Sequence, residues 1–196
     1  MSEQLGGYTR NVRDAMAHVN AADPSSPDTF YRRNMPRTGL YDSASDTGQV
    51  ALATGVMTSV PIHLRSGDVI TTVSVRSGAT AAGTPTNYWV ALYDSSATPA
   101  LLAQSADQTS TAWAANTTKQ LALTAPVTIT RTGIYWVGIM VAATTPPTLL
   151  GTCAAPAIVT GERNLSQSSG SSLTGTAPAT ITGASGKSFV PYVVLT

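Results

Sequence analysis

A single cysteine, two histidines and few charges are all that this 196-residue chain offers to most enzyme chemistry. Cys153 has no second cysteine to pair with, so an intrachain disulfide, a Cys-x-x-Cys motif and a Cys/His zinc framework are all excluded. A small buried apolar role is expected for it. Charged residues make up 11% of the chain, where about a quarter is usual in soluble domains. The net charge of +1 provides no general field for nucleic acid or an anionic membrane surface. Long apolar runs are missing too: Ile134 to Ala143 is about half a membrane helix and reads as a buried strand. No basic stretch followed by an apolar run opens the chain, so no secretory signal is expected and synthesis falls to a cytoplasm.

Motifs that carry chemistry are equally scarce. There is no Gly-x-Ser-x-Gly elbow, and His18 and His63 have no metal-ligand spacing around them. Ser185-Gly186-Lys187-Ser188 imitates the end of a phosphate-binding loop, but Ile181 stands where that motif needs glycine and a strand follows where it needs a helix. Asp42 to Gly48 lacks the sixth-position glycine and distal glutamate of a calcium loop. Asp42, Asp46, Asp68, Asp94 and Asp107 are scattered and mostly accompany Ser or Gly, as turn acids do. The expectation is no catalytic residue, no cofactor, no metal and no enzyme.

What the chain has is strands. Asn87 to Asp94 (NYWVALYD) is echoed 47 residues later around Ile134 to Val141 (IYWVGIMV), and the likeness runs on through Thr98-Pro99 and Thr145-Pro146 to Leu102 and Leu149. Each copy reads as strand, loop and short returning strand, a hairpin used twice, suiting the two sheets of one β-sandwich. Period-two alternation places Thr58, Val60, Ile62 and Leu64 on one face, with Pro61 suiting an edge strand. It also sets Val69, Thr71, Val73 and Val75 together and turns Leu121 and Leu123 inward. Residues 154–187 read as a surface loop with one or two short strands, and Ser188 to Thr196 as a paired terminal strand. The fold expected is all-β, an antiparallel, jelly-roll-like β-sandwich over residues 46–196, preceded by a short helix and an extended arm over 1–45.

The first 42 residues hold ten of the 21 Asp, Glu, Lys and Arg residues, so this region has a different job. Thr9 caps an expected helix to about Ala22, with Val12, Met16 and Val19 on one stripe. Pro24, Pro27, Pro36 and Gly39 then keep the chain irregular around Phe30, Tyr31 and Met35. Such a segment needs a surface to dock on, either a partner or its own sandwich. Arg32, Arg33 and Arg37 beside aromatic rings suggest nucleic acid, but Glu3, Asp14, Asp23, Asp28 and Asp42 balance them. Protein docking through Val12, Met16, Val19, Phe30, Tyr31, Arg32, Arg33 and Met35 is therefore expected. Trp89 and Trp136 hold matching strand positions and read as core, whereas Trp113, in a Ser/Thr/Ala loop, is the candidate for an exposed, sugar-stacking ring.

Four stretches, IHLRSGD (62–68), WVALYD (89–94), TAWAAN (111–116) and GIYWVGI (133–139), resemble a β-sandwich domain of tailed-bacteriophage structural proteins, particularly from actinobacterial hosts. The likeness spans Pro61 to Gly151 and rests on core and turn residues, so it brings no functional residues with it. It implies a virion component of the minor tail, fibre or head-decoration kind. Its partners would be capsid or tail proteins and sister subunits, in a trimer or other cyclic assembly. No nucleic acid or membrane partner is implied; the alternative is an adhesin that binds a host surface glycan.

Overall fold

The structure is a computed structural model that describes Arg32, Asn34 and residues 51–153, 160–161 and 163–196. The expected helix and the other arm residues named above lie outside the described residues. Eight- to thirteen-residue strands form where the apolar runs predicted them: β1 (Met57–Leu64), β2 (Val69–Arg76), β3 (Gly83–Tyr93), β5 (Thr118–Thr128) and β6 (Gly133–Thr145). Shorter ones are β4 (Leu101–Gln104), β7 (Gly151–Cys153), β8 (Gln167–Ser169), β9 (Ser185–Gly186), β10 (Phe189–Pro191) and β11 (Val193–Leu195). Among the described residues there is no helix.

All pairings are antiparallel, in a six-stranded sheet ordered β4-β3-β6-β1-β8-β9, a three-stranded sheet β11-β2-β5 and a β10-β7 ribbon. Val60, Ile62 and Leu64 of β1, Val90 and Leu92 of β3, and Val137 and Ile139 of β6 form one buried cluster with Val73 and Val75 of β2, Leu121 and Leu123 of β5, and Val193 and Leu195 of β11. Two sheets sharing a core in this way are consistent with a β-sandwich.

The repeated strands are neighbours in the same sheet, not counterparts in two sheets as expected. β3 pairs with β6 so that Trp89 faces Met140, Ala91 faces Gly138 and Tyr93 faces Trp136. The first copy does form a hairpin with β4, but the second does not: after β6 the chain makes bridges from Thr148 to Ala51 and from Leu149 to Ser77 before β7 pairs with β10. The unbroken apolar runs have a simple cause. The large sheet is covered on both faces, and Met57, Trp89, Ala91, Tyr93, Trp136 and Met140 meet Ala177 and Ile181 in a second cluster. Residues 170–184 are thus a cover over that second face, where a surface loop was expected. Gly138 is required there, since a Cβ would sit 2.5 Å from Met57 Sδ and 3.3 Å from Tyr93 Cε2.

Two further expectations are corrected by local geometry. A β-bulge between Ile70 and Thr72 shifts the phase of β2, so Ile70 is buried with Val73 while Val69 points out to solvent. Pro61 lies in an interior strand, opposite Trp136 of β6. It is tolerated because β8 pairs only with Met57 to Ser59, leaving β1 a ladder on one side at position 61.

Candidate functional site

Two arm residues can be placed, and both sit on the free edge of β11. Leu195 N–H donates to Arg32 O at 2.6 Å, and Asn34 N–H donates to Val193 O at 3.3 Å. The Asn34 side chain accepts from Val193 N–H at 2.9 Å and donates to Pro191 O at 2.6 Å, reading two backbone groups at once. The Arg32 guanidinium reaches the Asp68 carboxylate at 3.3 Å, with the Asp68 side chain 7% exposed. Asp68 is itself fixed by Arg65 N–H at 2.9 Å, within the Ser66-Gly67 turn that the sequence signalled. Arg32 holds a left-handed φ of 56°, which costs about 1 kcal/mol for a side chain with a Cβ. The surrounding bonds hold it there. Of the docking residues expected in the arm, Arg32 is thus placed on its own sheet edge, and Val12, Met16, Val19, Phe30, Tyr31, Arg33 and Met35 lie outside the described residues.

The ring proposed for sugar stacking is not available. Trp113 is 1% exposed, its indole N–H donates to Thr117 O at 3.3 Å, and its ring packs against Tyr88 at 5.5 Å between centroids. The Ser/Thr/Ala loop turns this tryptophan into the shared core, where its large apolar area is removed from water. Cys153 departs from expectation in the other direction: it ends the short β7 and is exposed. Trp89 and Trp136 are buried, as their strand positions suggested.

A cleft of about 470 Å³ opens where the β3–β4 turn approaches β8. Ser95, Ser96, Pro99, Trp136, Arg163 and Gln167 line it. The exposed Arg163 lays its guanidinium over the Trp136 ring, 5.5 Å from the centroid, and Trp136 is only 4% exposed. Gln167 Oε1 accepts from Asn164 Nδ2 at 3.4 Å, while its amide nitrogen makes no hydrogen bond among the described residues. Sequence reasoning missed this constellation because Arg163 sits in a stretch without periodicity. The only signal was a tryptophan on the second face of a strand.

Asp94 is a turn acid, as read, whereas Asp107 reaches across to β3. Asp94 Oδ1 accepts from Ser96 N–H at 3.1 Å, Ser96 Oγ at 2.7 Å and Ala100 N–H at 2.9 Å. Slight burial pushes this carboxyl up, but the three donors outweigh it and hold it below the usual carboxylate range. Burial pushes the Tyr93 phenol far above its usual range, so it remains a neutral hydroxyl donor. Asp107 accepts from Tyr88 N–H at 3.0 Å and Thr109 Oγ1 at 3.1 Å. Among the described residues no three His, Cys, Asp or Glu side chains gather as a metal site would require, and no helix is long and apolar enough to cross a membrane. No protein-family model matches the chain, and no curated protein matches it.

Proposed function

We propose that this chain is a non-enzymatic structural component of a bacteriophage virion. In this reading a jelly-roll-like β-sandwich is displayed on the head or tail, as a decoration, head fibre or minor tail protein. Its N-terminal arm anchors it to capsid or tail proteins and to sister subunits. The observation that carries the reading is the clamp of Arg32 and Asn34 on β11. An open strand edge invites pairing with any other chain, and here it is taken by the protein's own arm through backbone, amide and ionic contacts. The clamp sets where the arm leaves the β body, and the apolar residues Val12, Met16, Val19, Phe30 and Tyr31 precede it in the chain. Their burial falls to an assembly partner. The residues shared with phage sandwich domains add to this support. The alternative of a glycan-binding module led by Trp113 loses its ring to the core.

Mass spectrometry of purified particles carrying the gene tests the reading: the chain is expected as a stoichiometric virion protein, and its absence from the particle overturns the proposal. Full-length Met16→Asp/Val19→Asp protein is expected to keep its β circular dichroism and to fall about ten-fold or more in particle occupancy, the effect of some 1.4 kcal/mol of lost docking.

A further inference from the structure

We propose that the cleft beside Trp136 binds a saccharide or polyol bearing one oxyanion, a carboxylate or a phosphate. The groups it presents are donors. The Arg163 guanidinium carbon lies over the Trp136 ring, 5.5 Å from its centroid, and a guanidinium held over an aromatic ring keeps N–H groups on its rim with which to grip two oxygens of one anion. No carboxylate among the described residues forms an ion pair with it. Gln167 and Ser95 also line the cleft, and the Gln167 amide nitrogen and the Ser95 hydroxyl make no hydrogen bond among the described residues. The acid nearest in the lining turn, Asp94, is already met by three donors of its own turn.

The ladder partner of Gln167, behind the cleft lining, adds a further observation. Ser59, fully buried, pairs across the ladders with Gly138 on one side and Gln167 on the other, so it shares the face on which Gln167 meets the cleft. Its hydroxyl has no hydrogen-bond partner, an uncommon state for a buried polar group. At about 470 Å³ the cleft falls within the range of small-molecule sites and suits one or two sugar rings. With 4% of its surface exposed, Trp136 does not itself offer a face to a sugar; it positions Arg163. The inference goes beyond the assembly role and does not depend on it.

The test is an amide chemical-shift titration of the full chain with glucuronate, glucose 6-phosphate and glucose, each to about 10 mM, enough to fill a site of millimolar affinity. Shifts confined to residues 95–97 and 163–168 are expected with at least one anionic probe, and glucose is expected to bind about ten-fold more weakly or not at all. Response to glucuronate alone identifies a carboxylate ligand, to glucose 6-phosphate alone a phosphate ligand, and to both an undiscriminating oxyanion site. Arg163→Ala is expected to weaken the anionic probe at least ten-fold while keeping a dispersed spectrum. If that variant does not fold, Arg163→Lys carries the test, because it keeps the charge and loses the planar fork; several-fold weaker binding is expected. No response to either anion, equal response to glucose, or undiminished binding by the folded Arg163 variant overturns the proposal.

Discussion

The six-stranded sheet has two buried faces that are closed in different ways. On one, Val60, Ile62, Val90, Leu92, Val137 and Ile139 meet the regular alternation of β2, β5 and β11, and both sides satisfy their backbone groups within sheets. On the other, the partner is the largely irregular segment 170–184, whose own apolar side chains are few. The sheet makes up the difference with polar tips on large side chains. Trp89 Nε1 donates to Thr174 O at 2.6 Å, Tyr93 Oη donates to Pro178 O at 2.9 Å, and Gln104 both donates to Gly175 O at 3.1 Å and accepts from Ala177 N–H at 2.7 Å. A regular sheet can be covered by hydrocarbon alone. An irregular segment brings unpaired backbone groups, and the covered face must supply partners for them.

That difference predicts how each face fails. Trp89→Ala removes both the ring and the bond to Thr174; it is expected to destabilise the protein by about 3–5 kcal/mol in chemical denaturation and to make residues 173–181 cleavable by limited proteolysis under native conditions. Leu92→Ala, on the opposite face of the same strand, is expected to cost about 2–5 kcal/mol without releasing the cover. Equal cleavage in both variants would erase the distinction between the faces. Gln104→Leu keeps the bulk of the side chain but orphans the Ala177 amide. It is expected to cost about 1–3 kcal/mol and to speed hydrogen exchange in the cover while leaving β6 protected; uniform exchange across the sheet would show that the cover and core open together.

The smallest effect expected is on the acid side. Hydrogen bonds depress the Asp94 carboxyl in the folded state, so its contribution is present above the unfolded aspartate value of about 3.9 and is lost as pH falls through the lower folded value. Asp94→Asn is expected to flatten the pH dependence of the melting temperature in that window and leave neutral pH little changed. An unchanged acid slope would mean that the turn at Ser96 and Ala100 is not held by the charge.

Much of the strand pattern was legible because alternation and apolar runs are local. Val60, Ile62 and Leu64 turn inward as their spacing predicts, Leu121 and Leu123 do the same, and the Ser66-Gly67 turn closes where it was read. The bulge at Ile70/Thr72 had one local sign, the break in alternation at Val69-Ile70-Thr71-Thr72, which a plain period of two passes over. Trp113 departs from its loop composition because composition describes the backbone near a residue, not the core that its side chain joins. Of the candidate site, Arg32 could be named from sequence, but its place on β11 could not. Arg163 gave no signal at all.

By itself the sequence determined an antiparallel β body, its long strands, and the absence of paired cysteines and of familiar catalytic motifs, because these depend on side-chain identity and short-range period. Only the tertiary structure decided that the two related strands lie side by side, that a sparse segment covers their second face, and that the arm closes the β11 edge. Each of those is a pairing between residues far apart in the chain, fixed by which surfaces and backbone groups remain unsatisfied once the strands have formed, and no local pattern encodes that remainder.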